Sequence, residues 1–225
     1  GYDRGHMAPN ADMPTKEAQA DSFSLANMVP QAPKNNQQVW RELEEATRAI
    51  VTKQKHDVYV VTGSKNKEKK LKTIGDNKVI VPTSVFKAIY IPKTGAIGAY
   101  YAPNDNSLKV KVVSICYLEE QLGMNIFPQL TEEQKRNIYK LPLNANSVKA
   151  HQEIPYGNWD AESQCAEDVS KDQLLALQKK FKSDGLSQSS NNSESSQSGM
   201  DQSTLDAIVK QLVEALLQYI IHLLR

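Results

Sequence analysis

Asp3-Arg4-Gly5-His6-Met7-Ala8-Pro9-Asn10-Ala11-Asp12 is the stretch from which the rest of the chain can be read. It places an imidazole, neutral and basic around physiological pH with an ordinary pKa of about 6.5, beside a guanidinium that is always charged and can fork onto two oxygens. Upstream stands only Gly1-Tyr2, with no initiator Met, charged n-region or apolar h-region. The chain therefore reads as a fragment or a processed form, N-terminally incomplete, whose signal peptide, if any, lay upstream. Downstream to residue 35, Pro, Asn, Asp and Met follow no sustained period, which predicts a long loop with one short helix around Lys16 to Ala20.

From Asn36 the pattern changes. Val39, Trp40, Leu43, Ala46, Thr47 and Ile50 recur at three and four residues, with Glu42, Glu44, Glu45 and Arg48 between them, so an amphipathic helix follows. Asn36, Trp40, Glu44 and Arg48 are each four apart and drift only about 40° per step around a 3.6-residue turn, which places them on one broad face. Val58 to Gly63 and Val79-Ile80-Val81-Pro82 read as strands. Lys87 to Tyr90 and Gly98 to Tyr101 are two more, split by the turn-like Pro92-Lys93-Thr94-Gly95. Lys109 to Ser114 alternates before a short helical stretch at Leu118 to Leu122. The middle of the chain is mixed, with adjacent and antiparallel strands.

Bulk numbers exclude more than they select. At 225 residues, 40% apolar and 24% charged, the chain has the composition of a globular protein with one domain and an appendage. Its 27 Lys+Arg and 26 Asp+Glu nearly cancel to +1, so only local clusters can argue for an anionic partner. Lys65, Lys67, Lys69, Lys70 and Lys72 form such a cluster, readable as a phosphate contact or as a solvated loop. His6, His56, His151 and His222 are scattered and no CxxC occurs, so a zinc site has no support. A GxSxG elbow and a phosphate-loop ending are both missing, which sets aside a serine hydrolase and a P-loop NTPase.

The stretch at residues 3–12 resembles the signature of the DNA/RNA non-specific endonuclease family, whose ββα-metal core is also called the His-Me finger. The likeness continues through Leu25 to Gln31, Asn36 to Trp40, Leu43-Glu44, Arg48, Val58 to Gly63, Val81-Pro82-Thr83 and Leu118 to Pro128, about 140 residues in all. It implies an α+β fold with a central antiparallel sheet flanked by helices, His6 just after a strand and Asn36 at a helix start. It implies DNA and RNA as substrates and 5′-phosphate ends as products. Val29 stands where the family commonly has a small polar residue, which bears on loop packing.

Phosphodiester hydrolysis needs a base for water, a cation against charge growing on the phosphate, and help for the leaving oxygen. By the resemblance His6 activates the water. Asn36 is the single direct ligand of Mg²⁺, or of Mn²⁺ in its place, through a hard carbonyl oxygen, and Glu44 holds a water of the cation's shell. The adjacent Asn35 is the alternative to Asn36. Arg4 grips the scissile phosphate, Arg48 stands near the leaving group, and Asn27 helps orient the site. Asp3 stays outside the catalytic set, since it would serve equally to orient Arg4 or to cap a turn.

The catalytic domain is assigned to residues 1–182. From Ser183 to Ser203 nine serines in 21 residues mark a flexible linker. In residues 204–225 Asp206, Lys210, Glu214, Gln218, His222 and Arg225 recur at steps of four or three, giving an amphipathic helix with one narrow polar stripe. Such a helix needs a partner surface: its own domain, another copy in a homo-oligomer, or a membrane interface. Cys116 and Cys165 are either one disulfide or two buried thiols. The family and the cysteine pair together suggest a secreted or periplasmic protein. The rival to an enzyme is a nucleic-acid-binding or toxin-like interaction protein on the same scaffold, regulated or tethered by that last helix.

Overall fold

The computed structural model describes residues 1–66 and 71–167. The expected linker and C-terminal helix, and Lys67, Lys69 and Lys70 of the basic cluster, lie outside the described residues. In chain order the strands are β1 (Asp3–His6), β2 (Met28–Gln31), β3 (Tyr59–Lys65), β4 (Thr73–Ile74), β5 (Val79–Ile80), β6 (Ser84–Ile91), β7 (Ala96–Pro103), β8 (Lys111–Val113), β9 (Asn137–Tyr139) and β10 (Tyr156–Trp159). The α-helices are α1 (Lys16–Asp21), α2 (Arg41–Ala49), α3 (Ile115–Leu122) and α4 (Glu132–Arg136).

Four strands in the order β3-β6-β7-β8 form the central sheet, antiparallel throughout. β6 and β7 are its middle strands and read as near-continuous buried runs because both faces are covered. Side chains alternate across a strand, so Val85, Ile89 and Ile91 meet Trp40, Leu43, Ala49 and Ile50 on the α2 face. Phe86 and Ala88 meet Ile115 and Leu118 on the α3 face. Each such Leu, Ile or Phe contributes about 1.5–3 kcal/mol on full burial, which is what clamps the helices to the sheet. The α+β architecture read from the sequence is the one observed.

α2 is the middle of a longer helical segment. A π-helical turn, Asn35–Trp40, leads into it, with the Arg41 N–H bonded back to the Asn36 carbonyl, and a second, Ile50–Gln54, leaves it. The wider first turn departs from the 3.6-residue spacing assumed from sequence: Trp40 turns into the core, 1% exposed, while Asn36 and Glu44 stay half-buried. Single π turns occur frequently at functional sites.

Residues 1–35 are not the long loop that composition suggested. β1 and β2 pair antiparallel, with Asp3 opposite Gln31 and His6 opposite Met28. α1 begins where Thr15 caps it, its side chain accepting from Ala18 N. Pairing between short segments distant in sequence leaves no periodic signal, so only the family resemblance pointed to a strand here, and His6 is its last residue rather than the residue after it. The run Val79 to Pro82 also shortens to two paired residues, because a proline N cannot donate to a ladder.

Candidate active site

β1 delivers the motif. Within it Arg4 and His6 share one face, while Asp3 and Gly5 share the other. Gly5 is pressed against β2 so closely that an added Cβ would stand 2.0 Å from Gln31 Oε1, so only glycine fits. Gln31 in turn donates from Nε2 to Asn35 Oδ1 at 2.5 Å, and Asn35 Nδ2 donates to Pro103 O at 3.1 Å. Asn35 is thus 1% exposed and spent on packing, which leaves Asn36 as the asparagine with a free carbonyl.

Asp3 Oδ2 accepts from Asn36 Nδ2 at 3.0 Å and from Gln37 Nε2 at 2.8 Å. These bonds favour its ionised form and hold its carboxyl below the ordinary range. They also staple the strand of His6 to the π turn of Asn36, a role different from the capping or Arg4 contact entertained from sequence. With Nδ2 donating to Asp3, the Asn36 Oδ1 takes part in no hydrogen bond among the described residues.

His6 is half-buried. Its Nε2 is enclosed without a protein partner, and no hydrogen bond reaches either ring nitrogen, so Nδ1 is the nitrogen open to solvent. Burial first, and the Arg4 guanidinium second, push its pKa below 6.5. Arg4 is exposed and makes no hydrogen bond or ion pair among the described residues. Asn27 braces the loop after the strand: its Oδ1 accepts from Ala8 N at 2.8 Å, and its Nδ2 donates to Ala8 O and Ser22 O, each at 2.9 Å.

On α2, Arg48 Nε meets Asp12 Oδ1 at 2.7 Å, rather than pairing with Glu44 one turn away. Glu44 is pushed up to about 7 by burial, against the pull of the Lys87 ammonium; Asp12 adds to the rise and Arg48 opposes it. Lys87 is 1% exposed, donates to Thr62 Oγ1 at 3.1 Å and lies 5.6 Å from the Trp40 ring centroid. Burial pulls its own pKa down. A cleft of about 370 Å³ opens beside them, with Ala8, Asp12, Asn27, Thr62 and Lys87 in its walls; His6, Asn36, Glu44 and Arg48 are not among its lining residues. No hydrogen bond or ion pair joins His6 directly to Asn36 or Glu44 among the described residues; the frame of β1 and Asp3 relates them.

A profile of the DNA/RNA non-specific endonuclease family matches residues 1–133, more than half of the sequence. The chain belongs to that family.

Among similar proteins, the mitochondrial nuclease EXOG of Danio rerio is 36% identical over 154 residues, covering 60% of this chain and 45% of that protein. A nuclease of Nostoc sp. is 34% identical over 155 residues, covering 61% and 55%. Mitochondrial endonuclease G of Homo sapiens is 32% identical over 148 residues, covering 58% and 50%. The chain therefore spans about half the length of the curated relatives it matches. The EndoG chain of an EndoG/EndoGI complex crystal structure superposes with a TM-score of 0.51 at 29% identity, covering 60% of this chain and 63% of that one.

Lys87 was not singled out from sequence. A lysine inside the strand run Lys87 to Tyr90 reads as a solvent-facing position, and only the packing of α2 across β6 buries it. Asp12 was quoted within the motif without a role; its pairing with Arg48 depends on two segments distant in sequence. Of the basic cluster, Lys72 Nζ donates to Tyr2 OH at 2.7 Å and Lys65 Nζ to Gln121 Oε1 at 3.4 Å. The first ties two segments that precede strands, and the second ties the end of β3 to α3.

Proposed function

We propose that this protein is an endonuclease that hydrolyses phosphodiester bonds of DNA and RNA with a divalent cation, Mg²⁺ or Mn²⁺, held at Asn36 and with His6 as general base. The observation that carries this reading is the His6 imidazole. It is neutral, unbonded and open at Nδ1, on the same strand face as a free Arg4, and its strand aims the Asn36 carbonyl through Asp3.

The donor set fits such a cation. An amide oxygen and the Glu44 carboxylate are hard ligands, and among the described residues no group of three or more His, Cys, Asp or Glu gathers. An ion that keeps most of its water suits that arrangement better than one needing a full protein cage. When bound, the cation supplies neutralisation of charge growing on the phosphate. His6 Nδ1 takes the proton as water attacks phosphorus; the P–O3′ bond breaks and the departing O3′ takes a proton from solvent, leaving a 5′-phosphate and a 3′-hydroxyl. Arg4 holds the scissile phosphate. The Nη groups of Arg48, whose Nε is anchored on Asp12, would stabilise charge on the departing oxygen, and Glu44 would help hold the cation's hydration shell. These contacts are to backbone, so little base preference and a steep salt dependence follow.

Plasmid and RNA cleavage with and without Mg²⁺ or EDTA, for wild type, His6→Ala and Asn36→Ala, tests this. Loss of about 10²–10⁴-fold in both folded variants supports the reading; a wild type inert on both nucleic acids overturns it. The Cys116–Cys165 disulfide supports a secreted or periplasmic location, since such bonds persist in oxidising compartments. Alkylation of the unreduced native protein checks this, and reactive thiols at both positions would overturn it.

A further inference from the structure

A general base acts only while its ring plane is held, and His6 lacks the usual means. No carboxylate or carbonyl bonds either nitrogen, so nothing polar prevents rotation about Cβ–Cγ. A half-turn would place the Cδ2 carbon where Nδ1 stands and abolish proton acceptance. What the ring does touch is Phe23, with centroids 4.7 Å apart and planes at 82°, the edge-to-face arrangement that aromatic rings favour.

Phe23 is 52% exposed, yet its backbone is fixed from both sides. Its N–H donates to Ala20 O at 3.1 Å. Ser22 before it is buried, and its Oγ donates to Gln19 O at 2.7 Å while accepting from Asn10 Nδ2 at 3.1 Å. Asn27 then clamps Ser22 O to Ala8, and Met7 N donates to Asn27 O at 2.9 Å. The segment carrying Phe23 is thereby bonded to the loop that follows His6, so ring and clamp move as one piece.

We propose that Phe23 is a positioning residue for the general base: its edge-to-face contact holds the His6 ring plane and opposes rotation out of the orientation that presents Nδ1 to the attacking water. The proposal rests on His6 being that base. It gives a half-exposed aromatic a function that depends on the ring and not on apolar burial.

Phe23→Leu, Phe23→Ala and Phe23→Tyr separate the roles, measured by steady-state cleavage and by NMR of the His6 ring protons. The expected result is a fall in kcat of about tenfold for Leu and Ala, with KM within about twofold and Tyr near wild type, since small misplacements of a reacting group are costly. The His6 ring protons should shift in the Leu and Ala variants as the neighbouring ring current is lost. A rise in KM with kcat preserved would overturn the proposal and make Phe23 a stacking platform for a nucleobase. Unchanged kinetics in Phe23→Leu would overturn it as well. If wild type fails to cleave at all, the nuclease reading falls; unchanged His6 signals in Phe23→Leu would then still overturn the positioning contact.

Discussion

Glu44 carries a conflict that its neighbours relieve only in part. It sits in a half-buried position where desolvation outweighs the attraction of Lys87, and its pKa rises from 4.5 to about 7. Between those values the unfolded chain has released the proton and the folded chain retains it, so stability falls as pH climbs through that window and levels off above it. In metal-free buffer, Glu44→Gln should gain on wild type as pH goes from 5 to 8, by on the order of 1 kcal/mol or roughly 3 °C in Tm, while losing activity. Thermal melts at the two pH values read this; a difference that stays constant would contradict it. His6 shifts the other way. Its pKa lies below 6.5, and the proposed base works when neutral, so at saturating cation, which favours ionised Glu44, kcat/KM should hold its plateau below pH 6.5 and fall only as pH drops through the lowered value. A pH–rate profile whose acid limb bends above 6.5 would count against that assignment.

At the scale of elements, the close contact of β1 with β2 is the joint on which the site depends. Gly5→Ala would drive a methyl into Gln31, which cannot swing away without releasing Asn35 and, through it, Pro103. Overpacking of this kind costs about 1–3 kcal/mol. Because Asn35 anchors the π turn, the expected outcome is a loss of cation affinity larger than the loss of fold, seen as a raised Mg²⁺ requirement in cleavage alongside a modest fall in urea midpoint. The same elements show what sequence could and could not convey. Periodicity gave α2, which buries a regular face, while β-branched and apolar runs gave β3 and parts of β6 and β7. β1 and β2 escaped because a four-residue strand with one buried face has no period to detect. His6, Asn36, Glu44 and Arg48 came from a motif, whereas Lys87, Asp12 and the linking role of Asp3 are products of tertiary contact.

Over the whole described unit, the Cys116–Cys165 disulfide closes a separation of 49 residues. It pins the segment around residue 166 to α3, where Glu119 Oε2 accepts from Ala166 N at 3.1 Å while Oε1 pairs with the buried Lys135 at 3.0 Å. A loop of that length corresponds to about 4 kcal/mol of unfolded-state restriction at most. Reduction, or Cys116→Ser with Cys165→Ser, should lower the denaturation midpoint toward that limit and leave cleavage at 25 °C within about threefold, because the bond lies on the α3 side of the sheet. A large activity loss without unfolding would mean that the two faces are coupled.

That two-faced sheet has a practical corollary for anyone attaching the protein to a solid support. Strand alternation directs Val85, Ile89 and Ile91 toward the cleft side and Phe86 and Ala88 away from it, so the sheet itself is a wall. A chemical handle at exposed Glu133 on α4 would anchor the molecule from behind that wall. A handle at exposed Lys16, on α1 beside the Asn10–Asp12 turn whose Asp12 lines the cleft, would bring the resin to the cleft side. Beads loaded equally by the two routes should differ in their capacity for long duplex while digesting short oligonucleotides alike, and comparing the two substrates on each bead would measure how much room the cleft needs in front of it.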